Sequence, residues 1–224
     1  MAKDGKELFL VARSQDRLNA MGPDLLARGA RAVLTLQADL VAAPEFVVAS
    51  VKESFPNFDT LLLAYGTLLD HGMCQVSPDY AVRELQTNLV SAVSLLTMFA
   101  RYFELRRSGI IAAITSVAGD RGRRSNYVYG AAKGGLTIFL QGLRARMHPY
   151  GVRVLTIKPG PVATAMTAAR PNLLFLATPE RVAMQIYHAL KDQRSEVIYT
   201  PHRWRWIMAV IRAIPERLFQ RLGV

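Results

Sequence analysis

The stretch YVYGAAKGG, residues 127–135, places a tyrosine and a lysine four positions apart. Residues at i and i+4 lie on the same side of a helix, so the ammonium of Lys133 can lie beside the phenol of Tyr129. A nearby cation favours the phenolate, and a tyrosine, whose ordinary pKa is near 10, needs such help to exchange protons at neutral pH. The spacing therefore predicts a proton-transfer pair, although a solvated helix pair would have the same spacing.

Two further polar side chains could complete a site. Ser116 ends the apolar stretch AAITS, where its hydroxyl can polarise a carbonyl oxygen while Tyr129 delivers the proton. Asn88 lies within a long helical pattern, and an amide buried there needs a hydrogen-bond partner. Taken alone, Asn88 would be a satisfied polar group of the core. As a member of this set, it is predicted to belong to the site.

The elements that must position these residues alternate along the chain. The sequence predicts strands over 7–12, 32–38, 60–66, 109–116 and 152–160, and helices over 15–28, 44–54, 78–105 and 127–150. The strands are rich in Leu, Ile and Val, which predicts burial on both faces. Such alternation indicates an α/β fold, a Rossmann-like doubly wound parallel sheet with right-handed crossovers.

Ligands of such sheets bind beyond the carboxyl ends of the strands, where the topology changes direction. The residues that follow the predicted strands are therefore candidates for a ligand site. They are Arg13, Ser14, Asp39, Leu40, residues 64–66, Ser116 and residues 159–164.

Length and composition limit the alternatives. A chain of 224 residues suits one full-sized domain, assigned to residues 1–200, followed by a basic tail over 201–224. The lone Cys74 cannot form an internal disulfide, which fits a reduced cytoplasm. No apolar run reaches the roughly 18 residues of a spanning helix, and the first residues do not have the pattern of a signal peptide.

The formal net charge of +11 suits phosphate-bearing ligands, nucleic acid or an anionic membrane surface. The basic residues are scattered, and no zinc-ligand spacing, basic zipper or aromatic RNA-binding pattern accompanies them. The sequence therefore predicts neither a nucleic-acid partner nor a metal site.

Four stretches together resemble the short-chain dehydrogenase/reductase family over about residues 5–190: TNLVSAVSL, IIAAITSVAG, YVYGAAKGGL and VRVLTIKPGPVAT. The resemblance implies that Tyr129 is the general acid/base and that Lys133 lowers its pKa and binds the nicotinamide ribose. It implies that Ser116 orients the carbonyl and that Asn88 holds a proton-relay water. The implied reaction is reversible hydride transfer between a nicotinamide and a ketone or alcohol, in a homo-oligomer that pairs through its long helices.

The resemblance also implies cofactor contacts at the strand ends, made by Arg13, Asp39, Leu40, Ala64, Gly66, Tyr129, Lys133, Pro159, Gly160, Val162 and Thr164. Arg13 stands where an acid would bind the adenosine 2′-hydroxyl, and an arginine there can pair with a 2′-phosphate, which favours NADP over NAD. Asp39 would serve equally well as a helix cap. The stretch 159–161 would also form a turn from its Pro and Gly residues alone.

The start of the chain departs from the family pattern. A strand, a glycine-rich turn and a helix that receives the pyrophosphate are expected first, and about 25 to 30 residues of such a unit are missing before residue 7. We expect a chain that is poorly stable or deficient in cofactor binding. It would be a fragment, a mis-started reading of a longer gene or a degenerate relative. The alternative function is a truncated, non-catalytic scaffold that binds a partner or a membrane surface.

A finer resemblance concerns the substrate. Residues 63–66 read LAYG where the family has NNAG, and this variant is similar to reductases of polyprenyl-phosphate keto-pentoses. The substrate would be a small or lipid-linked carbonyl compound. Arg121, Arg123 and Arg124 would meet its phosphate or form a solvated loop. Residues 165–178 would form a mobile flap over it.

The tail, residues 202–224, interleaves arginines with Trp204, Trp206 and aliphatic residues. That composition is typical of an amphipathic helix on an anionic membrane surface, which would place the protein peripherally on the inner membrane face. The alternative is a helix that packs over the substrate pocket or against another subunit.

Overall fold

The structure is a computed structural model that describes residues 1–168, 174–192 and 194–222. All strand pairings within these ranges are parallel, which confirms the predicted α/β sheet. The strands are Glu7–Ala12 (β1), Ala32–Gln37 (β2), Thr60–Leu63 (β3), Gly109–Ile114 (β4), Val152–Pro159 (β5) and Val197–Thr200 (β6). The sequence pattern does not predict β6, which has only four residues.

The helices connect and cover these strands. They are Gln15–Ala27 (α1), Pro44–Ser54 (α2), His71–Val76 (α3), Pro78–Leu85 (α4), Ser91–Arg106 (α5), Tyr127–Met147 (α6), Pro179–Lys191 (α7), Arg203–Ala213 (α8) and Glu216–Phe219 (α9). The π-helical segment Gln86–Val90 joins α4 to α5, so the single helix predicted over 78–105 is interrupted. Within the described ranges, no helix has the length and hydropathy to cross a bilayer.

The parallel strands form two sheets rather than one. β1 pairs with β2, and the other sheet has the order β3-β4-β5-β6. Among the described strands, β1 and β3 each have one edge that no strand pairs. The side chain of Leu34 on β2 is 41% exposed and that of Leu62 on β3 is 37% exposed. The prediction that all five strands are buried on both faces is therefore wrong for β1, β2 and β3, because strands at sheet edges lack the neighbours that would cover them.

Helices pack on both faces of the four-stranded sheet. On one face, α5 and α6 bury Leu96 and Leu140 against Ile111 of β4. On the other face, α7 covers Leu155 and Ile157 of β5. The central strands β4 and β5 therefore have the two-sided burial that the sequence predicts.

Contacts on two sides hold the β1–β2 pair against the larger sheet. The ring of Phe9 on β1 lies 6.0 Å from that of Phe55, which stacks on Phe58 in the main core. Near the chain start, the Tyr187 hydroxyl of α7 donates to Asp4 at 2.6 Å. The two sheets thus share one core although none of the described strands joins them by hydrogen bonds.

Candidate active site

Glycines bring the turn after β4 directly onto α6. A Cβ at Gly119 would lie 2.6 Å from the backbone nitrogen of Gly134, and a Cβ at Gly130 would lie 2.9 Å from the carbonyl oxygen of Ala118. Real Cβ atoms do not approach backbone atoms this closely, so only glycine fits at these positions. The small residues around Tyr129 therefore have a structural role, which is to let the two elements that carry the predicted site touch.

Tyr129 and Lys133 lie one turn apart on α6, as predicted. The Lys133 ammonium is 5.8 Å from the centre of the Tyr129 ring and donates to the carbonyl of Ile114 at 3.3 Å. The lysine side chain is buried, with 4% exposed. Burial lowers the pKa of Lys133 to about 8, and the charge of Glu84 opposes that shift. The group is therefore an ammonium at neutral pH and loses its proton at mildly alkaline pH.

Ser116 lies in the turn that the glycines press against α6. Its Oγ accepts a hydrogen bond from the backbone of Ala118 at 3.1 Å and caps the short 3₁₀ turn Val117–Gly119. Because Oγ is the acceptor in this bond, its hydrogen can still be donated to another oxygen. The side chain is half-buried, which keeps that hydroxyl within reach of a ligand.

Asn88 is 1% exposed and lies inside the π-helical segment. Its amide nitrogen donates to the carbonyls of Thr67 and Glu84, and its amide oxygen accepts from the backbone of Thr67. The side chain thus fixes the chain that follows β3. Its predicted role in holding a relay water stays a prediction. A π segment at this position is in keeping with a functional site.

Gly66 lets the chain after β3 come close to the Lys133 side chain. A Cβ there would lie 2.6 Å from the Asn88 amide oxygen and 3.2 Å from the Lys133 ammonium. The end of β3 can therefore reach Lys133 only with a glycine at this position. Ala64, also predicted to contact a cofactor, is exposed at the same strand end.

The end of β5 carries the other predicted contacts on this sheet. Gly160 donates its backbone N–H to Thr200 at 3.0 Å, and the indole of Trp204 from α8 packs against its Cα. Pro159 and Val162 are half-buried, and Thr164 is exposed. The C-terminal helix is thus a neighbour of this strand end, which the sequence analysis left open.

Three predicted cofactor contacts lie at the ends of β1 and β2, on the smaller sheet. Arg13 has an exposed side chain, and its carbonyl accepts from Gln37 at 3.1 Å. Asp39 accepts the backbone N–H of Val41 at 2.8 Å in the turn before α2. The N-cap of α2 is Ala43, so Asp39 is not the helix cap that was the alternative to adenine contact. Leu40 packs against the main core. These three residues follow strands of the smaller sheet, whereas Lys133 lies on α6, which packs on the larger sheet.

The arginines after Ser116 do not form the cluster that was expected to meet a substrate phosphate. Arg121 donates to the carbonyls of Ile211 and Ile214 at 2.5 and 2.6 Å, and also to Glu216 at 2.9 Å. Arg123 and Arg124 are the other two members of the run. Arg123 is half-buried and contacts the sulfur of Met208, whereas Arg124 is exposed. Two of the three guanidinium groups are therefore turned toward the C-terminal helices.

The C-terminal helix has two different faces. Trp204 and Met208 are buried with Val117, which follows Ser116, so one face of α8 packs over the candidate site. Trp206 is 71% exposed and Val210 is also exposed. The face of α8 that packs on the protein and the face that was predicted to contact a membrane thus lie on opposite sides of one helix. Residues 223–224 of the tail lie outside the described residues.

The segment expected to form a flap, residues 165–178, is described in part, because 169–173 lie outside the described residues. Within the described part, Val162 bridges to Ala177. Arg203 of α8 donates to the carbonyl of Phe175 at 2.9 Å. The end of this segment is therefore attached to the C-terminal helix.

Comparison with known proteins identifies the family. The family model described as short chain dehydrogenase matches residues 1–172. An uncharacterized oxidoreductase of Mycobacterium tuberculosis is 36% identical over 220 residues, which cover 97% of this chain and 88% of that protein. The chain belongs to the short-chain dehydrogenase/reductase family. It is therefore an oxidoreductase of a family that uses NAD(P).

Other relatives agree with this assignment. A ketoacyl reductase of a Nostoc species is 28% identical over 242 residues, covering all of this chain and 83% of that protein. The solved structure of an alcohol dehydrogenase from Thermococcus sibiricus, complexed with 5-hydroxy-NADP, has a TM-score of 0.78 at 23% identity. That match covers 88% of this chain and 86% of the other, and it shows the shared fold.

Glu84 is a buried charge in this region that was not predicted from the sequence. Glu84 on α4 contacts the same Thr67 that binds Asn88. Its position four residues before Asn88, on the same side of a helix, was a signal that could have found it.

Proposed function

We propose that this oxidoreductase reduces a ketone, or oxidises the corresponding alcohol, with Tyr129 as the group that gives or takes the proton on the substrate oxygen. The observation that carries the proposal is the buried Lys133 ammonium beside the Tyr129 ring, on a helix pressed against the Ser116 turn. A nicotinamide cofactor, when bound, supplies or accepts the hydride.

The residues have distinct roles in this proposal. The ammonium of Lys133 stabilises the phenolate form of Tyr129, which eases proton release and uptake. The Ser116 hydroxyl donates to the substrate oxygen and so stabilises the charge that develops there. Asn88 holds the end of β3 in place and orders a relay water.

The fit to a nicotinamide cofactor is good on one side of the site. Lys133 and the close approach of Gly66 suit a ribose, and Thr164, Pro159, Gly160 and Val162 would contact the nicotinamide end. On the other side, Arg13, Asp39, Leu40 and Ala64 would contact the adenosine. None of the glycines in the described ranges follows a strand in a G-x-x-x-G-x-G arrangement, which the pyrophosphate would require.

The catalytic role is tested by Tyr129→Phe. We expect turnover of a ketone panel with NADPH to fall by about 100-fold or more, because general acid catalysis contributes about that much. Tyr127→Phe, an exposed neighbour on the same helix, is the matched control. Cofactor affinity, followed by tryptophan fluorescence, should stay nearly unchanged in both. Full turnover by Tyr129→Phe would refute the assignment.

We also propose that a further parallel strand, followed by a glycine-rich turn, fits between β1 and β3. The unpaired edges of β1 and β3 and the incomplete pyrophosphate site support this. A fusion that adds the first strand, turn and helix of the mycobacterial relative before Met1 should bind NADPH more tightly and melt at a higher temperature. If the present chain binds NADPH at micromolar levels and the fusion brings no gain, this part of the proposal is wrong.

NADP is the proposed cofactor, with NAD as the competing choice, because the exposed Arg13 can pair with a 2′-phosphate. Arg13→Ala should weaken NADPH binding by about tenfold and leave NADH binding unchanged, since a charged hydrogen bond contributes about 1.5–3 kcal/mol. Equal losses for both cofactors would remove the basis for this choice. If neither cofactor binds even to the extended chain, the non-catalytic scaffold becomes the better explanation.

A lipid-linked keto-sugar remains the proposed finer substrate class, with peripheral contact to the inner membrane face through the exposed side of α8. Trp206 and Val210 beside arginines support membrane contact. Cosedimentation with vesicles containing anionic lipid should fall for Trp206→Ser. Equal binding to neutral vesicles would argue against membrane contact of this kind.

Pairing of subunits through α5 and α6 is proposed on the family pattern and is checked by sedimentation.

A further inference from the structure

Glu84 is a carboxylate with 1% exposure, placed beside the candidate site. One of its oxygens, Oε2, accepts from the Thr67 hydroxyl at 2.9 Å and from the backbone of Leu69 at 3.2 Å. Its backbone carbonyl accepts from the Asn88 amide at 3.2 Å. Glutamate is almost never fully buried unless a charge or a full set of donors accompanies it.

The other carboxylate oxygen, Oε1, is buried and has no hydrogen-bond partner in the described part of the chain. Glu84 is one of the residues that line a small cavity, together with Tyr129, His71, Cys74 and Asn126. The contacts to Thr67 and Leu69 therefore use only half of the carboxylate. A purely structural brace for the β3 end would not need a charge in this place.

Lys133 carries a buried amine on the helix that packs against the helix of Glu84. α4 packs against α6, and Glu84 is the acidic group that raises the pKa of Lys133 against the effect of burial. Gly66 and Thr67 connect the two groups, since Gly66 abuts the ammonium and Thr67 binds the carboxylate. The other titratable groups around the site are Tyr129 on α6 and, across the cavity, His71 and Cys74 on α3.

We propose that Glu84 is a positioning residue of this enzyme, the buried counter-charge that keeps Lys133 protonated beside Tyr129. The proposal rests on the proposed function for its catalytic meaning, but not for its electrostatics. Burial already brings the pKa of Lys133 down to about 8 with Glu84 present. Without that negative charge, an amine in the same place would lose its proton closer to neutral pH.

The test is the titration of Lys133 in protein labelled with [ε-¹⁵N]lysine, without cofactor or substrate. Lys133→Arg assigns the signal among the six lysines of the chain. Glu84→Gln keeps the shape of the side chain and removes its charge. We expect the midpoint for Lys133 to fall by about one pH unit or more, as for loss of a nearby opposite charge. Glu53→Gln, exposed on α2, is the control and should not move it.

An unchanged midpoint in folded Glu84→Gln would overturn the proposal. If that variant does not fold, Glu84→Leu, which removes the charge without adding a polar group, is titrated in the same way. An unchanged midpoint for Lys133 in that folded variant would overturn the proposal. The titration does not depend on turnover, so its outcome is separate from that of the activity assay. If the midpoint shifts but the protein reduces no ketone, the proposed function is wrong and the inference about Glu84 stands. In active protein, the alkaline limb of the rate profile should move to lower pH in Glu84→Gln.

Discussion

At the scale of single residues, Lys133 is balanced between two opposing effects. Its burial favours the neutral amine, whereas its proposed task next to Tyr129 requires the ammonium. A pKa of about 8 leaves most molecules charged at pH 7. The enzyme would therefore work near the upper edge of the pH range in which this group is charged.

That balance predicts a pH profile. The pKa of Lys133 in the folded protein lies below the ordinary lysine value of 10.5, so the ammonium is present below about pH 8 and is lost above it. The rate of ketone reduction should be level from about pH 6.5 to 7.5 and should fall above pH 8. Stopped-flow single turnovers with NADPH measure it. Lys133→Met should be slower by about 100-fold and should not have this limb. A limb that persists in this variant would assign it to another group.

At the scale of elements, the contact between the turn after β4 and α6 depends on the absence of side chains. Gly119 and Gly134 pack backbone against backbone, and this contact sets the position of Ser116 relative to Tyr129. The same helix contains Gly142, where a Cβ would meet nothing within 4 Å. One helix thus offers both a required glycine and a replaceable one.

Gly119→Ala should destabilise the protein by about 1–3 kcal/mol, the usual range for overpacking, and should lower turnover because the Ser116 turn is pushed away from α6. Gly142→Ala should stabilise it by about 0.5–1 kcal/mol, since alanine is the better helix former at an exposed position. Urea unfolding monitored by circular dichroism measures both. Equal free energies of unfolding for the two variants would contradict the packing argument.

Arg121 links the active-site turn to the end of α8 and to α9. Its guanidinium contacts the carbonyls of Ile211 and Ile214 and the ring of Phe219, and its side chain is only 12% exposed. A buried cation with these partners holds helix termini whose carbonyls would otherwise be unpaired.

Arg121→Met should therefore lower the free energy of unfolding by about 2 kcal/mol, a typical loss for charged hydrogen bonds, and should speed amide exchange in α8. Arg124→Met, at the exposed end of the same run, should change neither. Hydrogen exchange with mass spectrometry on both variants is the measurement. Unaltered exchange in α8 of Arg121→Met would mean that Trp204 and Met208 hold this helix without the arginine.

At the scale of the whole molecule, the interruption between β1 and β3 divides the strands into two groups that differ in how many hydrogen-bonded neighbours their strands have. β4 and β5 are paired on both edges and covered on both faces. Among the described strands, β1 and β2 pair only with each other. The ring contact of Phe9 with Phe55 and the bond from Tyr187 to Asp4 are side-chain links and do not replace a ladder of backbone hydrogen bonds.

This asymmetry predicts that the smaller sheet opens first. Amides of β1 and β2 should exchange by about tenfold or more faster than those of β4 and β5, because local opening does not require breaking the main core. Native-state hydrogen exchange at low denaturant measures it. In a fusion that supplies the proposed strand, protection of β1 should rise toward that of β4. Uniform protection in the present chain would show that the two sheets unfold as one unit.

The sequence by itself determined the alternating parallel fold, the strands β1 to β5, and the placement of Tyr129 and Lys133 on one helical face. These features follow from local spacing and from the period of apolar residues, which act within a few turns of chain. Only the tertiary structure decided the partners of Arg121 and the burial of Glu84. Those depend on contacts between segments far apart in the chain, where burial and the positions of neighbouring charges, rather than residue type, set what a side chain does.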